Sequence, residues 1–373
     1  MNPADATPTA VPTVHFVLPG DVDDLAAPSG GNTYDRRVCQ ELPRAGWRVH
    51  EHPVPGAWPE PGAAARAKLA GILGGLADGS VVLLDGLVAC AVPDIVVPEA
   101  ARLHLVVLLH LPLGDETGLA PATAADLDAR ERRTLRAVSS VVATSTWAAR
   151  RLVAHHGLAP DRVHVAAPGA DPAPQAPGTD GASRLLCVAS VTPRKGQHRL
   201  VGALATVADL PWSCVCVGGL GQDPAYVVRL RALIAEFGLG DRVRLIGPQH
   251  GEELEASYAA ADLLVLTSYA ETYGMVVTEA LARGIPVLAT AVDGLPEAVG
   301  RAPDGNVPGL LVPPGDLQGL GSGLRRWFDE PDLRRQLKVS ARRRRAVLEG
   351  WDMTSRNLAA VLERLPQASR RSA

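Results

Sequence analysis

The sequence predicts an α/β protein built from two Rossmann-like, doubly wound domains that face each other across a cleft. Three observations predict it. Strand-length apolar segments alternate with helix-length segments along most of the 373 residues. The strands are apolar throughout instead of every second residue, as parallel strands covered on both faces are. The alternation breaks once, at the Pro-, Gly- and Ala-rich stretch 170–183, and then starts afresh.

Taken in order, "MNPADATPTAVP" (1–12) carries no basic start and no apolar core, so it reads as a disordered tail and not a signal peptide. "TVHFVLPG" is the first strand. "PSGGNTYD" follows as a loop, then the helical "YDRRVCQELPRAG" and the strand "WRVHEHPV". "SVVLLDG", "HLVVLLH", "SVVATS" and "RVHVAAPG" continue the sheet, with helices at "ADLDARERRTLRAV" and "TWAARRLVAHHGL" between them. This first domain spans 13–172, and 173–183 is a linker. The second domain, 184–350, has strands "RLLCVASV", "WSCVCVGG", "RVRLIG", "DLLVLTS" and "PVLAT" separated by helices. Residues 351–373 are expected to form a helix that crosses back to the first domain, then a tail. Sheets of this kind bind ligands beyond the carboxyl ends of their strands, so the cleft is the expected site.

Composition excludes several functions. Hydrophobic residues are 47% and charged ones 21%, which is globular and not disordered. A net charge of -3 and only 4% aromatics argue against a nucleic-acid partner. Cys39, Cys90, Cys187, Cys214 and Cys216 are odd in number and mostly lie in apolar runs. They read as buried reduced thiols in a cytoplasmic, reducing compartment. No stretch is long and apolar enough for a membrane span. The run Arg342–Arg345 reads as a solvated helix face, so peripheral contact with anionic lipid is not favoured. "VGGLG" (217–221) is no dinucleotide fingerprint, because Pro224 stands where its third glycine would be.

The chemistry concentrates in "ETYGMVVTEALARGIPVLAT", 271–290. "DLLVLTS" ends at Ser268, so Glu271 lies in the loop at the functional edge. A helix is expected to start near Gly274 and stop at Gly284, ahead of Pro286. The N–H groups of Gly274, Met275, Val276 and Val277 would then lack intrahelical partners and offer a site for an anion or hydroxyl. Gly274 lets a ligand approach the backbone. Glu271 can accept hydrogen bonds from a polyol at that mouth, and Glu279, nearly two turns into the helix, can grip a vicinal diol. Taken alone, Glu271 reads better as a helix N-terminal charge and Glu279 as a surface glutamate.

"SYAETYGMVVTEALARGIPVLATAVDGLPEAV" resembles the signature of family-4 glycosyltransferases of the GT-B fold, with Glu271 and Glu279 as its E-x7-E pair. The resemblance extends through "VASVTPRKGQHRLVGAL", the stretch "VGGLGQDPAYVV…LIGPQ…LLVLTS" and "GNVPGLLVPPGD", nearly all of the second domain. In the first domain it is thinner: Gly30 and Gly31, as a loop for phosphate or acceptor, and His110 at the end of "HLVVLLH". It implies a retaining transferase whose donor is a nucleoside-diphosphate sugar, with UDP-sugars ahead of GDP-mannose, and whose acceptor is a glycan, lipid or small metabolite. It implies that Glu271 approaches the sugar hydroxyls, Glu279 the ribose, Lys195 of "KG" the diphosphate, and His110 the donor sugar. Gly247, in "LIGPQ", falls where backbone groups hold the base. The family's "GRL" is replaced by Ala189-Ser190-Val191, so Ser190 lacks the usual arginine and Arg194 is the nearest substitute. "PGAD" (168–171) reads as a structural hinge turn. No cofactor and no metal are expected, since no Asp-x-Asp stands at a strand end. A sugar-nucleotide epimerase and a non-catalytic sugar-nucleotide binder stay open as alternatives.

Overall fold

A computed structural model describes residues 11–25, 28–116 and 118–365. The first sheet contains β1 (Thr13–Pro19), β2 (Arg48–Val54), β3 (Val81–Asp85), β4 (His104–Leu109), β5 (Ser140–Ala143) and β6 (Val163–Val165), in the order β2-β1-β3-β4-β5-β6. The second contains β7 (Arg184–Val188), β8 (Ser213–Val217), β9 (Val243–Gly247), β10 (Leu263–Leu266), β11 (Val287–Thr290) and β12 (Gly309–Val312), in the order β12-β11-β10-β7-β8-β9. All ten strand pairings are parallel. The uniformly apolar strands are therefore explained: β3, β5, β10 and β11 are buried at every position. Each sheet has helices on both faces and its own cores.

Strand order reverses between β1 and β3 in the first sheet and between β7 and β10 in the second. Switch points of this kind are where open α/β sheets bind ligands, beyond the carboxyl ends of the strands. The structure differs from the sequence expectations in detail. β12 and the helices Ala63–Gly74 and Pro93–Glu99 were not foreseen as elements. The basic C-terminal stretch is two helices, Leu317–Asp329 and Pro331–Arg345, broken at Glu330 because Pro331 opens the second one. Within the Arg run, Arg343 pairs with Asp304, Arg344 donates to Val299 O and Arg345 to Ala173 O. The five cysteines are free and buried. In "VGGLG", Gly218 is a packing glycine: a Cβ there would stand 2.0 Å from Ala189 O. Residues 1–10 of the expected N-terminal tail and the last residues, 366–373, lie outside those described.

The helix Trp351–Glu363 leaves the second domain and packs on the first. Its Trp351, Leu358, Val361 and Leu362 share a core with Val14, Phe16, Tyr34, Leu42 and Trp47. The Trp351 and Tyr34 rings meet edge-on, 5.6 Å apart. Thr354 Oγ1 donates to Ala167 O at 2.8 Å and Tyr34 OH to Ala166 O at 2.8 Å. Gly169 of the "PGAD" turn lies so close that a Cβ would stand 2.2 Å from Trp351 N. The returning helix therefore completes the first domain's core. Trp351→Ala should cost about 3–5 kcal/mol, the range for a buried tryptophan. Urea unfolding followed by the loss of first-domain secondary structure measures it; an unchanged midpoint would show that the helix contributes little.

Candidate active site

The site is assembled from the loops at the carboxyl ends of β7 and β10, the two strands at the second sheet's switch point. After β7 the chain makes a short turn, Pro193–Lys195, closed by Gly196 at φ 67°. After β10 it runs through Thr267, Ser268 and Glu271 into the helix Met275–Ala282. These loops bring Lys195 and Glu271 together: Lys195 Nζ donates to Glu271 Oε1. Ser268 Oγ donates to the same oxygen at 2.8 Å, and the Glu271 N–H donates to Asp293 Oδ2 at 3.0 Å. Glu271 is only 6% exposed. Burial pushes its carboxyl up, but the charges of Lys195 and Arg194 and the Lys195 and Ser268 hydrogen bonds outweigh that and hold it below the usual range.

Arg194 lies in the same turn. Its Nε donates to Glu116 Oε1 of the first domain at 3.1 Å and its Nη1 to Ala270 O at 3.4 Å. It thus adds positive potential at Glu271 while tying the two domains together. Ser190 contributes its carbonyl to Gln197 Nε2 at 2.8 Å. Gly247 ends β9 at φ 81° with open space where a side chain would be.

Gly274 caps the Met275–Ala282 helix at φ 93°. A Cβ there would meet Leu295 Cδ2 at 2.4 Å, so conformation and packing both require glycine, independently of any ligand. The expectation of four open N–H groups needs correction. Val277 N–H is taken by Gly274 O at 2.9 Å. Val277 is fully buried and Val276 packs against the same core, so neither side chain belongs to the site. Among the described residues the N–H groups of Gly274, Met275 and Val276 have no backbone acceptor. Glu279 lies four residues after Met275, little more than one turn in and not nearly two. Its Oε2 accepts from Tyr258 OH at 2.6 Å. Burial raises its carboxyl, against the Tyr258 bond and the Arg283 charge.

The first domain meets these groups directly. Thr272 Oγ1 donates to His110 O at 2.5 Å. A Cβ on Gly30 would come 3.8 Å from Met275 Sδ, and one on Gly31 would come 3.1 Å from His110 Cδ2. The two glycines are not a loop as expected. They open the helix Gly30–Glu41, whose start is fixed by Ser29 Oγ accepting from Asn32 N–H at 3.0 Å. On the first-domain side, Glu297 caps the helix Thr146–His156 from the second domain, accepting the Thr146 N–H at 2.9 and 3.0 Å.

Sequence reasoning missed Asp35, Asp85, Asp293 and Arg199. His110 Nε2 lies 2.7 Å from Asp35 Oδ1 and 3.5 Å from Asp85 Oδ2. Asp85 at the end of the apolar "VVLLD" was the available signal. Asp293, in the "DG" turn after β11, has φ 49° and holds the Glu271 loop. Arg199 is 6% exposed beneath the Tyr269 ring, its two terminal nitrogens unpaired among the described residues. Asp35, Asp85 and His110 have donor atoms close enough to hold an ion, a grouping that the sequence did not suggest.

Residues 174–344 match the family "Glycosyl transferases group 1". A D-inositol 3-phosphate glycosyltransferase 1 of Catenulispora acidiphila is 34% identical over 284 residues, 71% of this chain and 66% of the relative. That of Jonesia denitrificans is 32% identical over 269 residues, 66% of this chain and 62% of the relative. The chain thus spans somewhat less than two thirds of the length of these relatives. Among solved structures, sucrose-phosphate synthase from Thermosynechococcus elongatus aligns with TM-score 0.76 at 22% identity, covering 95% of this chain and 99% of that one. Anabaena HepE in complex with UDP and glucose aligns with TM-score 0.72 at 20% identity, covering 94% and 99%. The chain has the GT-B fold, and its residues 174–344 belong to the group 1 glycosyl transferases.

Proposed function

We propose that this chain is a retaining glycosyltransferase that moves a hexose-type sugar from a nucleoside-diphosphate sugar to an acceptor hydroxyl, with a UDP-sugar favoured and GDP-mannose next. The observation that carries the reading is the Lys195–Glu271 pair, set at the second sheet's switch point beside an open helix N-terminus. HepE, which shares the fold, was solved with UDP and glucose and with UDP-glucose, which favours a uridine nucleotide here. In this reading the ammonium of Lys195 uses one donor on Glu271 and has two left for the diphosphate. The phosphate gains negative charge as the glycosidic bond breaks, and the cation and helix N–H groups stabilise it without an acid catalyst. Glu271, kept ionised, faces the sugar. Glu279 holds the ribose diol with Tyr258 fixing its rotamer.

A thermal-shift panel of nucleotides and sugar nucleotides tests the donor: a true ligand at ~100 times its dissociation constant stabilises by roughly 2.7 kcal/mol. No shift with any UDP- or GDP-sugar would remove this reading. Incubation with donor alone separates it from an epimerase, which would convert the sugar, whereas a transferase at most hydrolyses it slowly.

The two glutamates should fail differently. Glu279→Gln removes an interaction equal in ground and transition states, so it should mainly weaken donor binding. Glu271→Gln removes a charge facing a ring that gains positive character, so it should mainly lower turnover. Each change is worth about 1.5–3 kcal/mol, ten- to a hundredfold. Free nucleoside diphosphate should bind the Glu279 variant more weakly and the Glu271 variant almost as wild type; the reverse pattern would exchange their roles.

Lys195→Ala should reduce turnover more than nucleotide affinity, because the phosphate charge grows toward the transition state. Steady-state and binding measurements on one preparation decide this, and an equal loss in both would argue for uniform binding only. Activity should also survive a chelator. Loss restored by magnesium or manganese would place a metal at the diphosphate.

A further inference from the structure

Behind His110 the first domain buries two carboxyls to which the proposed reaction gives no role. Asp35 comes from the Gly30–Glu41 helix and Asp85 from the end of β3, on either side of the first sheet's switch point. Asp35 is fully buried and Asp85 is 3% exposed. Asp85 Oδ1 accepts the Leu87 N–H at 2.6 Å and the Val88 N–H at 3.3 Å, which leaves Oδ2 toward the histidine. Asp35 Oδ1 faces His110 Nε2, while its Oδ2 has no partner among the described residues. Two acids buried side by side do not both ionise; one proton between them leaves a single negative charge. Burial pushes both carboxyls up to about 8, in keeping with a retained proton.

An imidazole that meets one negative charge through Nε2 keeps its proton there. The rest of the ring is fixed by packing. Its Cδ2–Cγ edge lies over Gly31, where a Cβ would stand 3.1 Å from Cδ2, and the Tyr34 ring meets it edge-on at 5.1 Å. The Nδ1 edge is what remains for the 17% of the side chain that is exposed. Thr272, the second-domain group bonded to the His110 carbonyl, carries no charge.

We propose that Asp35 and Asp85 are positioning residues that share one proton and, as a singly charged pair, fix His110 as the Nε2–H tautomer, so that Nδ1 accepts a hydrogen bond from a hydroxyl of the ligand in the cleft. Only the identity of that ligand as a nucleotide sugar rests on the function proposed above. On distance alone the two acids take different parts in this arrangement: Asp35, 2.7 Å from Nε2, carries the charge that meets the ring, and Asp85, at 3.5 Å, supplies the proton that neutralises half of the pair. An amide can replace the second but not the first.

Nitrogen-15 NMR of histidine-labelled, ligand-free full chain tests this, with the His110 signals assigned by their loss in His110→Gln. Wild type should show a protonated Nε2 and a bare Nδ1. Asp85→Asn, whose amide N–H can stand in for the shared proton, should keep both the tautomer and the midpoint of His110 protonation. Asp35→Asn removes the charge and should lower that midpoint by roughly one pH unit. With UDP-glucose as probe, Asp35→Asn should lower donor turnover and leave UDP affinity unchanged. A protonated Nδ1 in wild type, equal midpoints in the two variants, or His110 signals shifted by one equivalent of zinc would each overturn the proposal, the last by making the cluster a metal site. Failure of UDP-glucose to bind would count against the proposed function and leave the tautomer result standing.

Discussion

A carboxylate buried as deeply as Glu271 persists in its charged form only when it is paired. That requirement shapes the second domain. The partner, Lys195, follows β7, and Glu271 follows β10, so the pair forms only because these strands are neighbours although two strands and three helices separate them in the chain. The supporting contacts come from further away: Ser268 on the same loop, and Asp293 from beyond β11, held in a left-handed conformation that a short polar side chain tolerates. Gly294 is pinned next to it, because a Cβ there would stand 2.0 Å from Thr272 O. Replacing one partner would leave the other charge buried and alone. The loop positions are therefore determined by the pair as much as the pair by the loops.

The first domain repeats this placement with different chemistry. Among the described residues its switch point carries no lysine. It carries two acids and a histidine, and in the arrangement proposed above a shared proton moderates the charge in place of an opposite ion. The two clusters touch through Thr272 and His110, and Arg194 adds a second link to Glu116. The helix Trp351–Glu363 then ties the chain's end back into the first core, so the two domains are joined at the close contact of Gly169 with Trp351 as well as by side chains that belong to both sites.

The alternation of apolar runs with helical segments was enough to read two parallel sheets, because full burial of parallel strands leaves a signature in composition. The order of the strands was not legible, and with it went the reason Lys195 and Glu271 meet. The local errors have physical causes. Gly30 and Gly31 looked like a loop because glycine is a poor helix former, yet Ser29 caps a helix that starts with them. The Val277 N–H looked open because it lies in the first turn after a glycine at a helix mouth; Gly274 O accepts it, a turn closed locally that the residue types do not announce. Asp35 sits among residues that read as an ordinary amphipathic helix, and only the neighbouring strands show that its carboxyl is buried beneath a histidine. Long-range electrostatics of this sort has no short-range pattern.

The E-x7-E spacing presents two identical side chains, but the fold gives them opposite surroundings. Glu271 has a lysine, a serine and a nearby guanidinium, and its carboxyl is held low. Glu279 has a phenol and more distant charge, and burial raises it. A group held low stays ionised throughout the neutral range and presents a fixed negative field, which suits a reacting centre that becomes positive. A group raised by burial gains most from accepting hydrogen bonds, since each donor offsets part of the desolvation that raises it. A vicinal diol offers two such donors at once, to a carboxylate whose rotamer Tyr258 has already fixed. The division of labour between the two glutamates thus follows from what surrounds each one and not from their spacing in the motif.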